Sequence, residues 1–402
     1  MTQIKDVRFR KILDSRGNAT VEADVRTTMG FGRGAAPSGA SVGTHEVVSF
    51  PQGVDEALSR ADGLGKELVG QDAAEQTGID SLLRNSGVGG GVAIATSIAV
   101  AKAAANASGI PLYQYLSDQR QGERIMPRPV GNVIGGGKHA IGGPDIQEFL
   151  VISLGPTVAQ SVFANAQVHH AIGKQLGKRL GTVGRGDEGA WVVPLSGEEV
   201  LDVAANVVAQ VSDEVGFEIR LGLDMAASEL FAHGAYQYRD KGRSKEQQID
   251  YVCDLIDRYH LYYVEDPMHE DDFDGFAAIT ERVKGCHIVG DDLFTTNPER
   301  LKRGIEMGAG NAIIIKPNQI GTLTATIETI RLAQRHHYAP VISHRSGETT
   351  DNTIAHLAVA FGCPLIKTGV VGGERTAKLN ELIRIEKEER EKEEREKGKK
   401  TC

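Results

Sequence analysis

The sequence predicts an α/β protein: a closed β/α barrel preceded by a smaller α+β amino-terminal domain. Three observations lead there. The chain has 402 residues, too many for one average domain and suited to one large barrel plus a smaller unit. Its first part places strand-like alternation before helical periodicity, the order of an α+β domain. From Gly131 onward, short apolar runs alternate with amphipathic helical stretches, which implies a largely parallel sheet covered on both faces.

The elements follow in order. Ile4–Phe9 and Thr20–Thr27 alternate and read as strands, and the Gly/Ser-rich stretch Gly32–Gly43 reads as a loop. Val92–Ala107 is Ala-rich and reads as a buried helix. Ser117–Pro129 is polar, with two prolines near its end, and reads as a linker. Candidate barrel strands are Ile146–Ile152, Glu218–Leu223, Leu261–Val264, His287–Val289, Ala312–Ile315, Pro340–Ser343 and Pro364–Ile366. Amphipathic helices are expected over Val158–Leu176, Gly197–Val215, Lys245–Tyr259, Thr322–Arg335 and Thr350–Phe361. This organises the chain as residues 1–125, a capping domain, residues 126–385, the barrel, and residues 386–402, a tail. In Glu386–Lys400 every residue but Gly398 is charged; a solvated tail without a specific role is the preferred reading, a charged extension of the last helix the other.

Composition narrows the function. Hydrophobic residues make up 40% and aromatics 5%, an ordinary globular mixture. The net charge is −9 and no Lys/Arg block carries interleaved aromatics, so nucleic acid is not an expected partner. An acidic protein that handles an anionic substrate needs local positive charge, from metal ions or a few placed Lys and Arg. Cys253, Cys286, Cys363 and Cys402 form no C-x-x-C pair, so neither a zinc knuckle nor a disulfide framework is suggested. Met1–Arg10 is polar and charged, and no stretch is an uncharged apolar 20-mer; a cytoplasmic protein with no membrane span is expected.

The informative feature is where polar residues fall. Glu148 lies within its strand, Asp224, Glu265, Lys316, His344 and Lys367 each follow one directly, and Asp291 follows one after Gly290. In a β/α barrel such strand ends converge on the catalytic face. One carboxylate after a strand is as readily a helix cap, and one histidine a satisfied core residue. Seven ionisable groups on successive strands are hard to explain as caps.

Asp224, Glu265 and Asp291 form an all-oxygen trio, and hard oxygen ligands suit Mg²⁺ over zinc or copper. Crowded carboxylates repel one another unless a dication sits among them. Lys316 and Lys367 emerge two strands apart; beside a dication and a second ammonium, a lysine should lose its charged form and become a general base. Arg345 and Ser346 follow His344, and a guanidinium beside a hydroxyl suits bidentate phosphate binding. The set fits proton abstraction α to a carboxylate with metal stabilising the enolate. Gly34–Gly43 reads as an ordinary surface loop, or as a lid; it has no P-loop pattern.

Taken together these motifs resemble the enolase family over nearly the whole chain. The resemblance is carried by Asp14-Ser-Arg-Gly-Asn18, Pro37-Ser-Gly-Ala-Ser-Val-Gly43, His139 with Asp145-Ile-Gln-Glu-Phe149, and Gly186-Asp-Glu-Gly189. It continues through Leu223-Asp-Met-Ala-Ala-Ser-Glu229, Val264-Glu-Asp-Pro267, Val289-Gly-Asp-Asp-Leu293, Lys316-Pro-Asn-Gln-Ile-Gly321, Ser343-His-Arg-Ser-Gly-Glu-Thr349 and Ile366-Lys-Thr-Gly369. The wider superfamily is an established example of a Lys or His base working with Mg²⁺, and that pairing is implied here by the resemblance.

The resemblance implies reversible dehydration of 2-phospho-D-glycerate to phosphoenolpyruvate, in glycolysis and gluconeogenesis. Lys316 would remove the C2 proton; Glu188, assisted by Glu148, would be the acid that helps hydroxide leave C3. Asp224, Glu265 and Asp291 would hold a first Mg²⁺, and Ser41 would join a second when substrate binds. Arg345 and Ser346 would grip the phosphate, and His139, Gln147, His344 and Lys367 would meet the substrate. The family's barrel opens ββαα, and its members are homodimers or homo-octamers. Burial beside other carboxylates should favour the protonated acid at Glu188. The chain departs from the family pattern at Gly135-Gly-Gly137, at Gly89-Gly-Gly-Val-Ala93 and around the acid, with Val183-Gly-Arg-Gly186 before it and Ala190-Trp191 after. Alternatives are a paralogue that takes an α-proton from another carboxylate, and a non-catalytic binding protein on the same fold.

Overall fold

The structure, a computed structural model, describes residues 1–39, 43–117 and 124–400, with side chains as far as Lys397. Ser41 lies outside the described residues.

Three antiparallel strands open the chain: β1 (Ile4–Leu13), β2 (Ala19–Thr27) and β3 (Phe31–Ala35), with Val7 opposite Val25 and Ala23 opposite Gly34. Four helices follow: α1 (Val54–Leu68), α2 (Gln76–Asn85), α3 (Gly90–Ala107) and α4 (Leu112–Leu116). α3 is built almost wholly of small and aliphatic residues and lies buried under the sheet. β3 falls in the stretch expected to be a loop. Its glycines are the reason: a Cβ on Gly30, Gly32 or Gly34 would stand 2.3, 2.0 or 2.3 Å from the α3 carbonyls of Ala103, Ala99 and Ala95. Alternate glycines leave one face of the strand bare, so it packs backbone against helix. α3 is the one described helix long and apolar enough to cross a membrane, but 83% of that window is buried in this domain.

The barrel is an eight-stranded ring: β4 (Arg128–Gly135), β5 (Glu148–Ser153), β8 (Ile219–Asp224), β12 (Tyr263–Glu265), β13 (His287–Gly290), β14 (Ala312–Ile315), β15 (Ala339–Ser343) and β16 (Leu365–Lys367). β16 pairs back to β4, closing it. Two short strands, β6 (Gly184–Arg185) and β7 (Trp191–Val192), form a hairpin on its rim; β9 (Phe231–Ala232), β10 (Ala235–Gln237) and β11 (Gly242–Arg243) form a small separate sheet. β5 runs antiparallel to both β4 and β8, while the other barrel pairs are parallel. Only a single 3-10 turn, Gly137–His139, lies between β4 and β5, too short for a crossover, so β5 returns antiparallel. Two helices, α5 (Val158–Leu180) and α6 (Gly197–Val215), then precede β8, the ββαα opening that the family resemblance implies.

β4 is not among the strands expected from the sequence, and Arg128 and Pro129 sit in the stretch expected to be a linker. Pro129 stands near the start of its strand, where a missing N–H is tolerated, and the sequence signal of a breaker is overridden. The outer layer continues with α7 (Lys245–Tyr259), α8 (Phe273–Arg282), α9 (Pro298–Met307), α10 (Pro317–Ile320), α11 (Leu323–Arg335) and α12 (Thr353–Ala360). α8 and α9 are likewise additions to the helices expected from periodicity. The final helix, α13 (Gly373–Lys400), is one continuous element, so the charged stretch extends it. Glu386 is buried and accepts the N–H groups of Val158 and Ala159 at 2.6 and 3.1 Å, capping α5. The start of the charged stretch therefore has a structural role.

Register brings the chemistry together. Glu148 pairs with Asp224, Asp224 with Glu265, and Ser343 with Lys367. Because side chains alternate across a strand, residues in register on neighbouring strands emerge side by side.

Candidate active site

One buried pocket is lined by His139, Gln147, Glu148, Glu188, Asp224, Asp266, Asp291, Asp292, Lys316, His344, Arg345, Ser346 and Lys367. It thus gathers every described candidate from the sequence except Glu265, which lies fully buried beside Asp224. Lys367 is the hub of one wall. Its Nζ lies 2.8 Å from Glu265, 2.9 Å from Asp224 and 3.1 Å from Glu148. Lys316 pairs directly with Asp291 Oδ2, whose other oxygen accepts the Gln319 amide at 2.9 Å. Gln147 reaches Asp224 only at 3.5 Å, the limit of a hydrogen bond.

The other wall holds the two glutamates. His139 Nδ1 is 3.1 Å from Glu148 and 3.8 Å from Glu188. Glu188 accepts Asn132 Nδ2 at 3.2 Å, and His344 Nε2 lies 3.6 Å from it. Arg375, fully buried on α13, reaches His344 Nδ1 at 2.8 Å. A guanidinium can only donate, so Nδ1 accepts and the imidazole proton sits on Nε2, facing Glu188.

The phosphate-clamp candidate is built by tertiary partners. Arg375 donates to the carbonyls of Arg345 and Ser346 at 2.6 and 2.7 Å, and Lys378, also fully buried, holds Glu348 and Thr349. Arg345 presents both terminal nitrogens to Glu46, at 2.8 and 3.1 Å, and one to Asn318 at 3.2 Å. Glu46, Asn318, Gln319, Arg375 and Lys378 all escape sequence reasoning as site residues. Asn318 and Gln319 fall inside a recognised motif; the others carry no local signal, because only the fold brings them here.

Electrostatics bears on two of the expected roles. The sequence argument has Lys316 losing its charge beside a dication and a second ammonium. Burial, the largest single influence, pushes it down, while the Asp291 and Glu265 carboxylates act against it and the net shift is upward. The family resemblance has Glu188 protonated at the moment hydroxide leaves. Burial would raise it, but the His344 and His139 imidazoles, Arg375 and Lys367 hold it well below the usual range. The raised member of the pair is Glu148, through burial and the Glu188 charge. His139 loses charge to burial but gains more from Glu188 and Glu148, ending at about 9. His344 is the reverse: burial, with Arg375 adding, holds it well below its ordinary value despite Glu188.

The donor set fits a hard dication. Glu265 Oε1 is buried with no hydrogen-bond partner among the described residues. Burial, then Asp224, drives Glu265 well above its usual range, and burial with Asp291 pushes Asp292 to about 7. Such crowding of like charge is what a cation would relieve. Among the described residues two groups have ligand atoms within 4.8 Å of one another: His139 with Glu148 and Glu188, and Asp266 with Asp291 and Asp292; Asp266 and Asp292 are additions to the sequence-based ligand set, whose Asp224 and Glu265 fall in neither group. Asp266 accepts the backbone N–H of Asp291 and Asp292 at 3.0 and 2.8 Å, which fixes the turn that aims both.

Comparison with known proteins decides the family. The model described as "Enolase, C-terminal TIM barrel domain" matches residues 123–401, and "Enolase, N-terminal domain" matches residues 4–116. An enolase of Natronomonas pharaonis is 55% identical over 398 residues, 96% of this chain and 99% of that protein. Enolases of Methanothermobacter thermautotrophicus and Halobacterium salinarum are each 53% identical, covering 96% of this chain and 96% and 99% of theirs. The chain belongs to the enolase family.

The departures from the enolase pattern have local reasons. At Gly89–Gly91 the chain segment after Glu46 lies directly on the start of α3. Gly90 and Gly91 donate to the Val48 and Ser49 carbonyls at 3.0 Å each, and a Cβ on Gly91 would enter the Phe50 ring at 2.4 Å. Gly136 is equally confined: its Cβ would stand 2.3 Å from the carbonyls of Pro144 and Ile146, beside the turn that carries His139. In this enolase-family chain the glycines therefore mark close backbone approach rather than slack.

Proposed function

We propose that the protein is a phosphopyruvate hydratase, which removes water reversibly from 2-phospho-D-glycerate to give phosphoenolpyruvate, in glycolysis and gluconeogenesis. The observation that carries this reading is one buried pocket that holds a lysine at a strand end, a separate glutamate pair and a buried guanidinium.

Lys316 is the base for the C2 proton. Its ammonium pairs with Asp291, and it would become a base once that carboxylate is engaged by a metal ion. Asp224, Glu265 and Asp291 would hold Mg²⁺, with Asp292 beside Asp291 in the same pocket, and Ser41 would join a second. When bound, the metal supplies positive charge that stabilises the carboxylate dianion formed on proton loss. Glu188, held ionised by the groups around it, takes a proton from its neighbours Glu148 or His139, which hold theirs, and passes it to the hydroxide that leaves C3 as water. Arg345 and Ser346 bind the phosphate; Arg345 must share or exchange Glu46 to do so, and a phosphate offers the same planar fork two oxygens. Gln147, His344 and Lys367 complete the contacts with substrate.

The test is the absorbance of phosphoenolpyruvate formed from 2-phosphoglycerate, with and without Mg²⁺. Formation only with Mg²⁺ is expected. No formation under any metal condition would overturn the reading.

A further inference from the structure

The loop that carries Glu188 is held by contacts from other elements: Asn132 reaches Glu188 at 3.2 Å, Arg16 pairs with Asp187 at 2.9 Å, and His169 meets Gly189. It spans the few residues between β6 and β7, and two of them are glycine. Gly189 adopts φ +76°, and a Cβ there would stand 2.6 Å from the Val371 carbonyl, so glycine is required. Within the loop, Gly186 donates to Ala190 at 2.9 Å and Gly189 to Gly186 at 3.0 Å.

The Gly189 carbonyl is engaged from outside, by His169 Nε2 on α5 at 2.9 Å. A carbonyl only accepts, so Nε2 carries the proton. Nδ1 is buried and has no hydrogen-bond partner among the described residues. Burial lowers the pKa of this imidazole, in keeping with one neutral tautomer. The backbone carbonyl of His169 in turn accepts the indole N–H of Trp191 at 2.9 Å, and the two rings stack at 5.1 Å and 25°. Trp191 is the only tryptophan of the chain. Its ring lies over Gly173, where a Cβ would come within 2.3 Å of the indole. His169 and Gly173 are one helical turn apart, so one face of α5 receives the hairpin on both sides of the loop.

We propose that His169 and Trp191 are positioning residues for the acid: by pinning Gly189 and the β7 strand to α5, they set the Glu188 carboxyl for cleavage of the C3–O bond and take no part in removing the C2 proton. The inference rests on Glu188 being the acid. In that step the C3–O bond breaks, its electron pair stays on oxygen, and the oxygen takes the Glu188 proton and departs as water. The electron pair left on C2 by the earlier proton loss closes the C2–C3 double bond. Lys316 stands at the end of β14, outside the hairpin, so the pin serves the second step alone.

The experiment measures two rates in the Mg²⁺-loaded protein: phosphoenolpyruvate formation, and exchange of the C2 proton of unreacted 2-phosphoglycerate with deuterium oxide. A wild-type protein that forms no product would sink the hydratase reading itself, whatever the pin does. With a competent wild type, H169L removes the donor to Gly189. Product formation should fall on the order of tenfold to a hundredfold, as for a small misplacement of a reacting group. Exchange should stay within about twofold, since an interaction used in one step alone leaves the other. H169Q, whose amide can donate to the same carbonyl, should recover most of the loss. Unchanged product formation in H169L, equal loss of both rates, or no recovery in H169Q would overturn the proposal. Should H169L fail to fold by circular dichroism, W191F decides. It keeps a ring over Gly173 but loses the indole N–H, and it should slow product formation while sparing exchange; no change, or equal loss of both, would refute the pin.

Discussion

The two walls of the pocket are built in different ways. The wall of Lys316, Lys367, Asp224, Glu265 and Asp291 stands on barrel strands, and its groups are locked to one another by direct ion pairs. The wall of His139, Glu148 and Glu188 draws two of its three members from loops on the rim, and distant elements hold them: α13 through Arg375 and His344, α5 through His169. The first wall gains its geometry from register. The second gains it from packing between elements far apart in sequence. A site that must remove a proton and expel hydroxide in separate steps can therefore lose one function without the other.

Removing metal should have the largest effect, because it strips the first wall of the charge its carboxylates need. Excess chelator should abolish product formation and Mg²⁺ should restore it, followed by phosphoenolpyruvate absorbance. D291N should also raise the Mg²⁺ concentration needed for half activity. Full activity in chelator would mean the carboxylate wall is not a metal site.

The next effect concerns the phosphate. R345K keeps the charge but loses the fork that Arg345 presents to Glu46 and Asn318. A charge-assisted bidentate contact is worth about 2 kcal/mol, so KM for 2-phosphoglycerate should rise on the order of tenfold or more with the fold intact. An unchanged KM would place the phosphate elsewhere.

The second wall gives a pH signature. His139 has its pKa raised from 6.5 to about 9 in the folded protein, by charges that outweigh burial. Its contribution to stability is therefore fully present below 6.5 and lost as pH rises through 9. The melting temperature should fall across that window, and H139Q should flatten the fall. The same slope in H139Q would mean that another group carries it.

The smallest effect belongs to the tail. Glu386 caps two N–H groups of α5, the helix that also carries His169. E386Q should cost about 1 kcal/mol, the usual worth of a lost cap, and be read as a lower urea midpoint with kcat unchanged. An unchanged midpoint would mean the cap contributes nothing to the fold.

The same division explains what the sequence could reveal. Strand-end residues such as Asp291, Lys316 and Lys367 are legible, because an apolar run followed by an ionisable group is a local pattern. The family motifs add His139, Gln147 and Glu188. Arg375, Lys378 and Glu46 are not legible, because their partners lie tens to hundreds of residues away and each reads alone as a surface charge. β3 and β4 are hidden for a related reason: glycine and proline signal a break locally, yet packing against α3 and pairing with β16 make strands of them. The protonation states of Lys316 and Glu188 also need the fold, since they depend on which charge lies nearest.

The central claim is that proton removal and hydroxide loss belong to different walls. The direct measurement pairs C2 exchange in deuterium oxide with product formation, in K316A and E188Q. K316A should lose both, each by about a thousandfold or more, as for loss of a general base. E188Q should lose product formation by a similar factor while C2 exchange continues. Exchange that persists in K316A and vanishes in E188Q would contradict the assignment and reverse the two roles.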